Sequence, residues 1–135
     1  MKNDFFEKKE QNFSKIRIDN LYKYGNRVYG QNLMLIWNYT ESTTIMRSQI
    51  LISVPKKKMK KAVNRNYTKR IIREAYRLNK AKIEDSLPKP IEIIIKYNET
   101  SVPEFNKLKA ELLHLLNHDS FKNNETNTKN FDLYN

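Results

Sequence analysis

Cysteine is absent from this chain of 135 residues, and only two glycines and one tryptophan occur in it. The absence of cysteine excludes a disulfide framework and any metal site built on thiolates. Gly25 and Gly30 are too few to form the glycine-rich phosphate loop of a P-loop or Rossmann protein. Disulfide-stapled scaffolds and nucleotide-binding enzymes of those two classes are therefore excluded.

Long apolar segments are also missing. No stretch approaches 18 apolar residues, and the first eight residues contain no apolar signal core. We therefore expect a soluble cytoplasmic protein with no membrane partner. The length predicts one domain, placed at residues 14–118, with a polar arm at 1–13 and a disordered, Asn-rich tail at 119–135.

Histidine and acidic residues form no recognisable catalytic set. His114 and His118 have the i, i+4 spacing of metal ligands, but no third ligand lies near them in the sequence. The acidic residues are scattered and lack the close spacing of a metal-dependent nuclease. We therefore predict no catalytic residue and no metal ligand in the protein itself.

The hydrophobic periodicity predicts an α+β domain. Ser14 is expected to cap a first helix that Gly25 ends. The strand at 33–39 is apolar on both sides, so both of its faces are expected to be covered or used. The other predicted elements are a strand at 45–54, a helix at 60–80, a strand at 91–97 and a last helix with a capping box at Ser101 and Glu104. The order is α-β-β-(β)-α-β-α, with one strand optional, and the strands flanking the long helix should be parallel neighbours.

The long helix is expected to pack on the sheet with one face and to present its cations on another. Its predicted sheet-packing stripe consists of Val63, Tyr67, Ile71, Ala75 and Leu78. Its cations recur every four residues on another face, at Arg65, Lys69, Arg73 and Arg77. Glu74 is expected to pair with neighbouring arginines at i+3 or i+4 and so to orient them.

Residues 56–80 contain eleven Lys or Arg and one acid, so they carry +10 of the chain's net charge of +11. Charge of this density attracts polyanions and binds them by releasing their counterions. Like charges four residues apart destabilise a helix slightly, which favours a phosphate-rich partner over a merely solvated helix. A membrane-surface helix is a further alternative, but it would need free apolar residues. Nucleic acid is therefore the predicted partner.

The same segment resembles the signature of the protein subunit of bacterial ribonuclease P. The matching residues are Lys56-Lys57, Lys60-Lys61-Ala62, Arg65-Asn66, Lys69-Arg70, Arg73-Glu74 and Arg77. The resemblance covers about residues 14–118. One position departs from the pattern, because the family's Arg-Asn-Arg triplet ends here in Tyr67. Either a phosphate contact is lost there, or a stacking contact with a base or ribose is gained.

The resemblance implies an α/β sandwich related to the second domain of a ribosomal small-subunit protein, with a left-handed β-α-β crossover instead of the usual right-handed one. It also implies the protein component of a ribonucleoprotein endoribonuclease that removes the 5′ leader from precursor tRNA. The catalytic RNA would carry the chemistry with bound magnesium, while the protein alone would hold no cofactor. The partners would be that RNA and precursor tRNA. The alternative is a general RNA-binding or ribosomal-type protein with no role in catalysis.

Family positions that match this sequence imply two sets of contacts. Contacts to the catalytic RNA are implied for Lys60, Lys61, Arg65, Asn66, Lys69, Arg70, Arg73 and Arg77. Contacts to the leader are implied for Ile18, Tyr22, Ile36, Lys56 and Lys57. Stacking on leader bases is expected of Tyr22 alone, because the family often has an aromatic residue where the two isoleucines stand. Core packing is the alternative role for those isoleucines, and Trp37 should lie on the opposite face of its strand.

Overall fold

A computed structural model describes residues 14–40, 48–87 and 89–117, apart from the side chains of 82–86. The elements are, in chain order, α1 (Lys15–Tyr24), β1 (Asn26–Tyr29), β2 (Leu33–Tyr39), β3 (Gln49–Ser53), α2 (Ala62–Ser86), β4 (Ile91–Tyr97) and α3 (Phe105–Leu116). The predicted arm and tail, the start of the second predicted strand at 45–47 and His118 lie outside the described residues.

Helix α1 begins and ends where its capping residues predict. The Ser14 hydroxyl accepts a hydrogen bond from the Arg17 backbone N–H at 3.2 Å. At the other end, a Cβ on Gly25 would lie 2.5 Å from the Leu21 carbonyl oxygen and 2.8 Å from Ile36 Cγ2. Only glycine therefore allows the last turn of α1 to approach strand β2 this closely.

The four strands described form one sheet in the order β1-β2-β4-β3. Strand β2 is antiparallel to both β1 and β4, whereas β3 is parallel to β4. The predicted parallel pairing of the strands that flank the long helix is confirmed, and the handedness of the crossover stays a prediction. The optional strand is β1, which directly follows Gly25 and precedes the other strands instead of following two of them.

The two faces of the sheet are covered unequally. The larger core lies between the sheet and helices α2 and α3, and it includes Leu35, Trp37 and Ile93 from the strands. On the other face, Leu21 of α1 packs on Ile36 and Ile94. The prediction that both faces of the 33–39 strand are covered is confirmed, and the fold is the expected α+β sandwich.

Helix α2 buries a different face from the one predicted. Val63, Tyr67 and Leu78 of the predicted stripe are 73%, 50% and 45% exposed, although Ile71 and Ala75 are buried as predicted. The buried face consists of Thr68, Ile71, Ile72, Ala75, Tyr76 and Asn79. Two polar residues can be buried here because each bonds to a carbonyl of its own helix. The Thr68 hydroxyl donates to Asn64 O at 2.8 Å, and Asn79 Nδ2 donates to Ala75 O at 3.0 Å.

Candidate nucleic-acid interface

A short basic loop precedes α2. The backbone N–H groups of Lys58 and Met59 both donate to Pro55 O at 3.2 Å, and the Met59 side chain is buried against Thr68. Lys58 Nζ also donates to Asn98 O at 3.1 Å. With Met59 as the anchor, all five lysines of the loop are exposed: Lys56, Lys57, Lys58, Lys60 and Lys61.

Arg65 has a structural role that its place in the motif does not reveal. One guanidinium nitrogen, Nη1, donates to Met59 O at 3.1 Å and to Lys60 O at 2.8 Å. These bonds hold the basic loop against the first turn of α2. Arg65 therefore stabilises the conformation of the basic loop, and one nitrogen of its guanidinium already bonds to the protein backbone.

The remaining signature residues of α2 share one side of the helix. Asn66, Lys69, Arg70, Arg73 and Arg77 are spaced i, i+3, i+4, i+7 and i+11, which places them on one face, called here the α2 cation face. Asn66, Arg70 and Arg77 are exposed, while Lys69 and Arg73 are half-buried at its border with the core. Four positive charges in about three turns form a surface suited to a phosphate backbone.

One acid lies beside this face and pairs as the sequence predicts. Arg77 Nε and Nη2 donate to the two carboxylate oxygens of Glu74 at 3.0 and 2.5 Å. The hydrogen bond from Arg77 lowers the pKa of Glu74 below its ordinary value. The pair fixes the direction of one exposed guanidinium on the α2 cation face.

Tyr67 also borders the α2 cation face, three residues before Arg70. The spacing predicts Tyr67 in the sheet-packing stripe, but half of it is exposed to solvent. The prediction fails because Thr68 and Ile72 occupy the buried side of the helix, which turns Tyr67 outward. An aromatic ring is therefore accessible next to an exposed arginine.

The predicted leader-binding residues of α1 and β2 differ in accessibility. Ile36 is fully buried with Leu21 and Ile94, so its side chain is core and is not available to a leader. Ile18 is half-buried and packs on the same cluster. Tyr22 is 37% exposed, so it is the most accessible of these three residues and the only aromatic one among them. Trp37 lies in the opposite core, as predicted.

Two features of the α1 side of the sheet were missed by sequence analysis. Arg17 of α1 donates from Nε to Glu92 of β4 at 2.9 Å and from Nη2 to Gln49 of β3 at 2.5 Å. Lys96 of β4 places its ammonium 5.9 Å from the centre of the Tyr22 ring. Both features depend on contacts between residues more than 30 positions apart, which a local sequence motif cannot predict.

Neither a metal-ligand cluster nor a membrane-spanning helix occurs in the part of the chain that the structure describes. No group of three or more His, Cys, Asp or Glu there is placed to hold a metal ion. His114 is exposed near the end of α3. No helix among the described residues has the length and apolar character needed to cross a membrane.

Comparison with known proteins places these features in one family. The family model described as Ribonuclease P matches residues 6–119. The ribonuclease P protein component of Porphyromonas gingivalis strain W83 is 34% identical over 80 residues, covering 59% of this chain and 58% of the relative. That of Chlorobaculum tepidum is 28% identical over 114 residues, covering 76% of this chain and 74% of the relative. The chain thus spans less than three fifths of the Porphyromonas relative that it matches.

Solved structures share the fold. The Staphylococcus aureus RNase P protein superposes with a TM-score of 0.64 at 24% identity, covering 82% of this chain and 95% of that one. The Thermotoga maritima RNase P protein gives 0.61 at 22% identity, covering 78% and 96%. The family match extends over every helix and strand described above. The chain therefore belongs to the ribonuclease P protein family.

Proposed function

We propose that this protein is the RNA-binding subunit of ribonuclease P and assists a catalytic RNA in removing the 5′ leader from precursor tRNA. The observation that carries the proposal is the α2 cation face, on which Arg70 and its neighbours are presented to solvent by a helix whose opposite side is buried in the core. Phosphate contacts of this kind supply most of the salt-dependent affinity for nucleic acid. The exposed loop lysines extend the same positive surface.

The leader is proposed to bind on the other face of the sheet, beside α1. Tyr22 offers an exposed aromatic ring there, and single-stranded RNA binds where bases can stack and the backbone meets cations. Lys56 and Lys57 follow β3 closely and lie between the two surfaces along the chain. The catalytic RNA and the leader would thus use different faces of one small domain.

Hydrolysis of the phosphodiester is proposed to belong to the RNA, with magnesium held there. The described residues provide no cluster that fits a divalent ion, so we assign the protein no metal-dependent step. Its own residues bind, neutralise and orient RNA. The α2 cation face alone would also suit a general RNA-binding or ribosomal-type protein, and only the test of leader removal separates that alternative.

Reconstitution tests the proposal. Precursor tRNA is incubated at low magnesium with a bacterial ribonuclease P RNA alone, with the protein alone, and with both. We expect cleavage at the leader junction to be faster with both than with the RNA alone, and absent with the protein alone. Tight RNA binding without any stimulation would reject the proposed function in favour of general RNA binding. Cleavage by the protein alone would reject the assigned division of chemistry.

A further inference from the structure

A row of four residues crosses the open part of the α1 side of the sheet. Strand pairing places Tyr29 opposite Met34, Met34 opposite Lys96, and Lys96 opposite Ser53. Tyr29 is 70% exposed, and the other three are half-buried. The neighbouring row contains Ile36 and Ile94, which α1 covers completely. Helix α1 therefore covers these two isoleucines and leaves the next row partly accessible, although Met34 packs against the same cluster.

Lys96 places a charged side chain on a central strand of the sheet. It is the penultimate residue of β4, which lies between β2 and β3, and Ile94 on the same face is fully buried. The other charged residue on this face of β4, Glu92, is already paired with Arg17. Among the described residues, no carboxylate forms an ion pair with Lys96. A half-buried lysine whose ammonium is paired with no described carboxylate is available to an anionic ligand.

An aromatic ring lies near this ammonium. Lys96 Nζ lies 5.9 Å from the Tyr22 ring centre, at the outer limit of an attractive cation–π contact. At that separation the ring only weakly holds the cation, so each group can engage a different part of one ligand. A nucleotide offers the two matching parts, a base with a flat face and a phosphate with negative charge.

We propose that Lys96 and Tyr22 together form one nucleotide-binding position, in which Tyr22 stacks on a leader base and Lys96 binds an adjacent phosphate. The inference rests on the proposed function and adds Lys96 to it. Stacking and phosphate contacts read no base edge, so these two contacts by themselves do not select a leader sequence.

The ends of the strands connect this position to the basic loop. Strands β3 and β4 are parallel and their pairing ends at Ser53 and Lys96, so both leave the sheet at the same edge. The chain continues from Ser53 into exposed Lys56 and Lys57, and Lys58 is held against Asn98 just beyond β4. Single-stranded RNA that lies along this row would therefore pass from Lys96 directly to the lysines of the basic loop.

Equilibrium binding to the reconstituted holoenzyme tests the position. We compare Lys96→Gln, Lys96→Arg and the control Lys89→Gln for affinity towards precursor tRNA and mature tRNA. Lys89 is a matched control because its ammonium lies 5.1 Å from the Tyr39 ring, yet it precedes β4 at the opposite end of that strand. We expect Lys96→Gln to weaken precursor binding roughly three- to tenfold and to reduce the salt slope by about 0.7, while mature tRNA binding is unchanged. Lys96→Arg should retain most of the wild-type affinity for precursor tRNA.

A double variant tests whether the two residues serve one nucleotide. The combined loss in Tyr22→Ala/Lys96→Gln should be smaller than the product of the single losses, because residues that share a ligand couple. A combined loss equal to the product of the two single losses overturns the proposal. An equal loss of affinity for precursor and mature tRNA also overturns it. Lys96→Gln behaving like Lys89→Gln also overturns it. If the wild-type protein stimulates leader removal in the same preparation, any of these failures rejects this position while leaving the proposed function intact.

Discussion

Arg17 joins helix α1 to the central strand β4 through Glu92, with Nε donating to Oε1 at 2.9 Å. The guanidinium also donates to Gln49 on the neighbouring strand. Gly25 brings the other end of the helix into close contact with Ile36. These two attachments fix the position of α1 on the sheet, and with it the position of Tyr22 at the edge of the open row.

Breaking this pair should destabilise the fold. The Arg17 and Glu92 side chains are 28% and 16% exposed, so Arg17→Met leaves a partly buried carboxylate without its partner. We expect a loss of roughly 1–3 kcal/mol in the free energy of unfolding, measured by urea denaturation. Arg17→Met/Glu92→Met should lose less than the two single variants added together. Strict additivity of the two losses would show that the pair does not attach α1.

Arg70 and Arg65 should respond differently to removal of the side chain. Arg70 is exposed on the α2 cation face, so Arg70→Ala should lower the salt slope of catalytic-RNA binding by about 0.7–0.9 with little change in thermal stability. Arg65→Ala should also lower the melting temperature, because it removes the bonds to Met59 and Lys60. Salt titrations and thermal melts of both variants measure this. Equal melting temperatures for the two variants would contradict the role assigned to Arg65.

Tyr67 should contribute through its ring. Its half-exposed position beside Arg70 favours stacking on a base or ribose of the catalytic RNA. We expect Tyr67→Phe to retain affinity and Tyr67→Ala to lose about 1–3 kcal/mol of binding free energy. Tyr67→Arg should increase the salt slope by roughly 0.7–0.9, since it adds a cation. Unchanged affinity in Tyr67→Ala, measured by filter binding, would show that the ring does not touch the RNA.

The Glu74–Arg77 pair should be visible in a titration. Because Arg77 lowers the pKa of Glu74, NMR titration of the Glu74 carboxyl should give a midpoint below the ordinary value of 4.5. A lowered pKa stabilises the folded state above the unfolded-state pKa, and this contribution disappears as the pH falls through the folded-state pKa. In Arg77→Gln the midpoint should rise towards the ordinary value. A midpoint that does not move would mean that the pair does not form in solution.

Local signals predicted much of the fold. Ser14 and Gly25 delimit α1 correctly because capping chemistry depends on neighbouring residues. The strand at 91–97 was predicted from its β-branched residues, and its parallel pairing with β3 followed from the long helix between them. Strand β1 is only four residues long and contains Asn26 and Arg27, so it gave no comparable pattern.

The site was predicted less completely than the fold. The basic signature identified the cations of α2, but hydrophobicity alone placed three exposed residues in the core-facing stripe, and only Ile71 and Ala75 of that stripe are buried. Thr68 and Asn79 are buried because they bond to backbone carbonyls, a possibility that an apolar pattern does not contain. Lys96 and Tyr22 come near each other only because α1 packs on a sheet that contains β4, a strand distant from it in sequence. Such contacts form only when the sheet has assembled, so no local sequence pattern predicts them.

Site-specific cross-linking in the holoenzyme with precursor tRNA bound tests whether the leader and the catalytic RNA use different faces of this domain. The chain contains no cysteine, so Ser53→Cys and Val63→Cys each carry a single photo-cross-linker. Ser53 lies beside Lys96 on the open row, and Val63 is exposed at the start of α2, one turn before Tyr67. We expect the label at residue 53 to reach the tRNA leader and the label at residue 63 to reach the catalytic RNA. Cross-links from residue 53 to the catalytic RNA alone, or from 63 to the leader, would contradict this expectation.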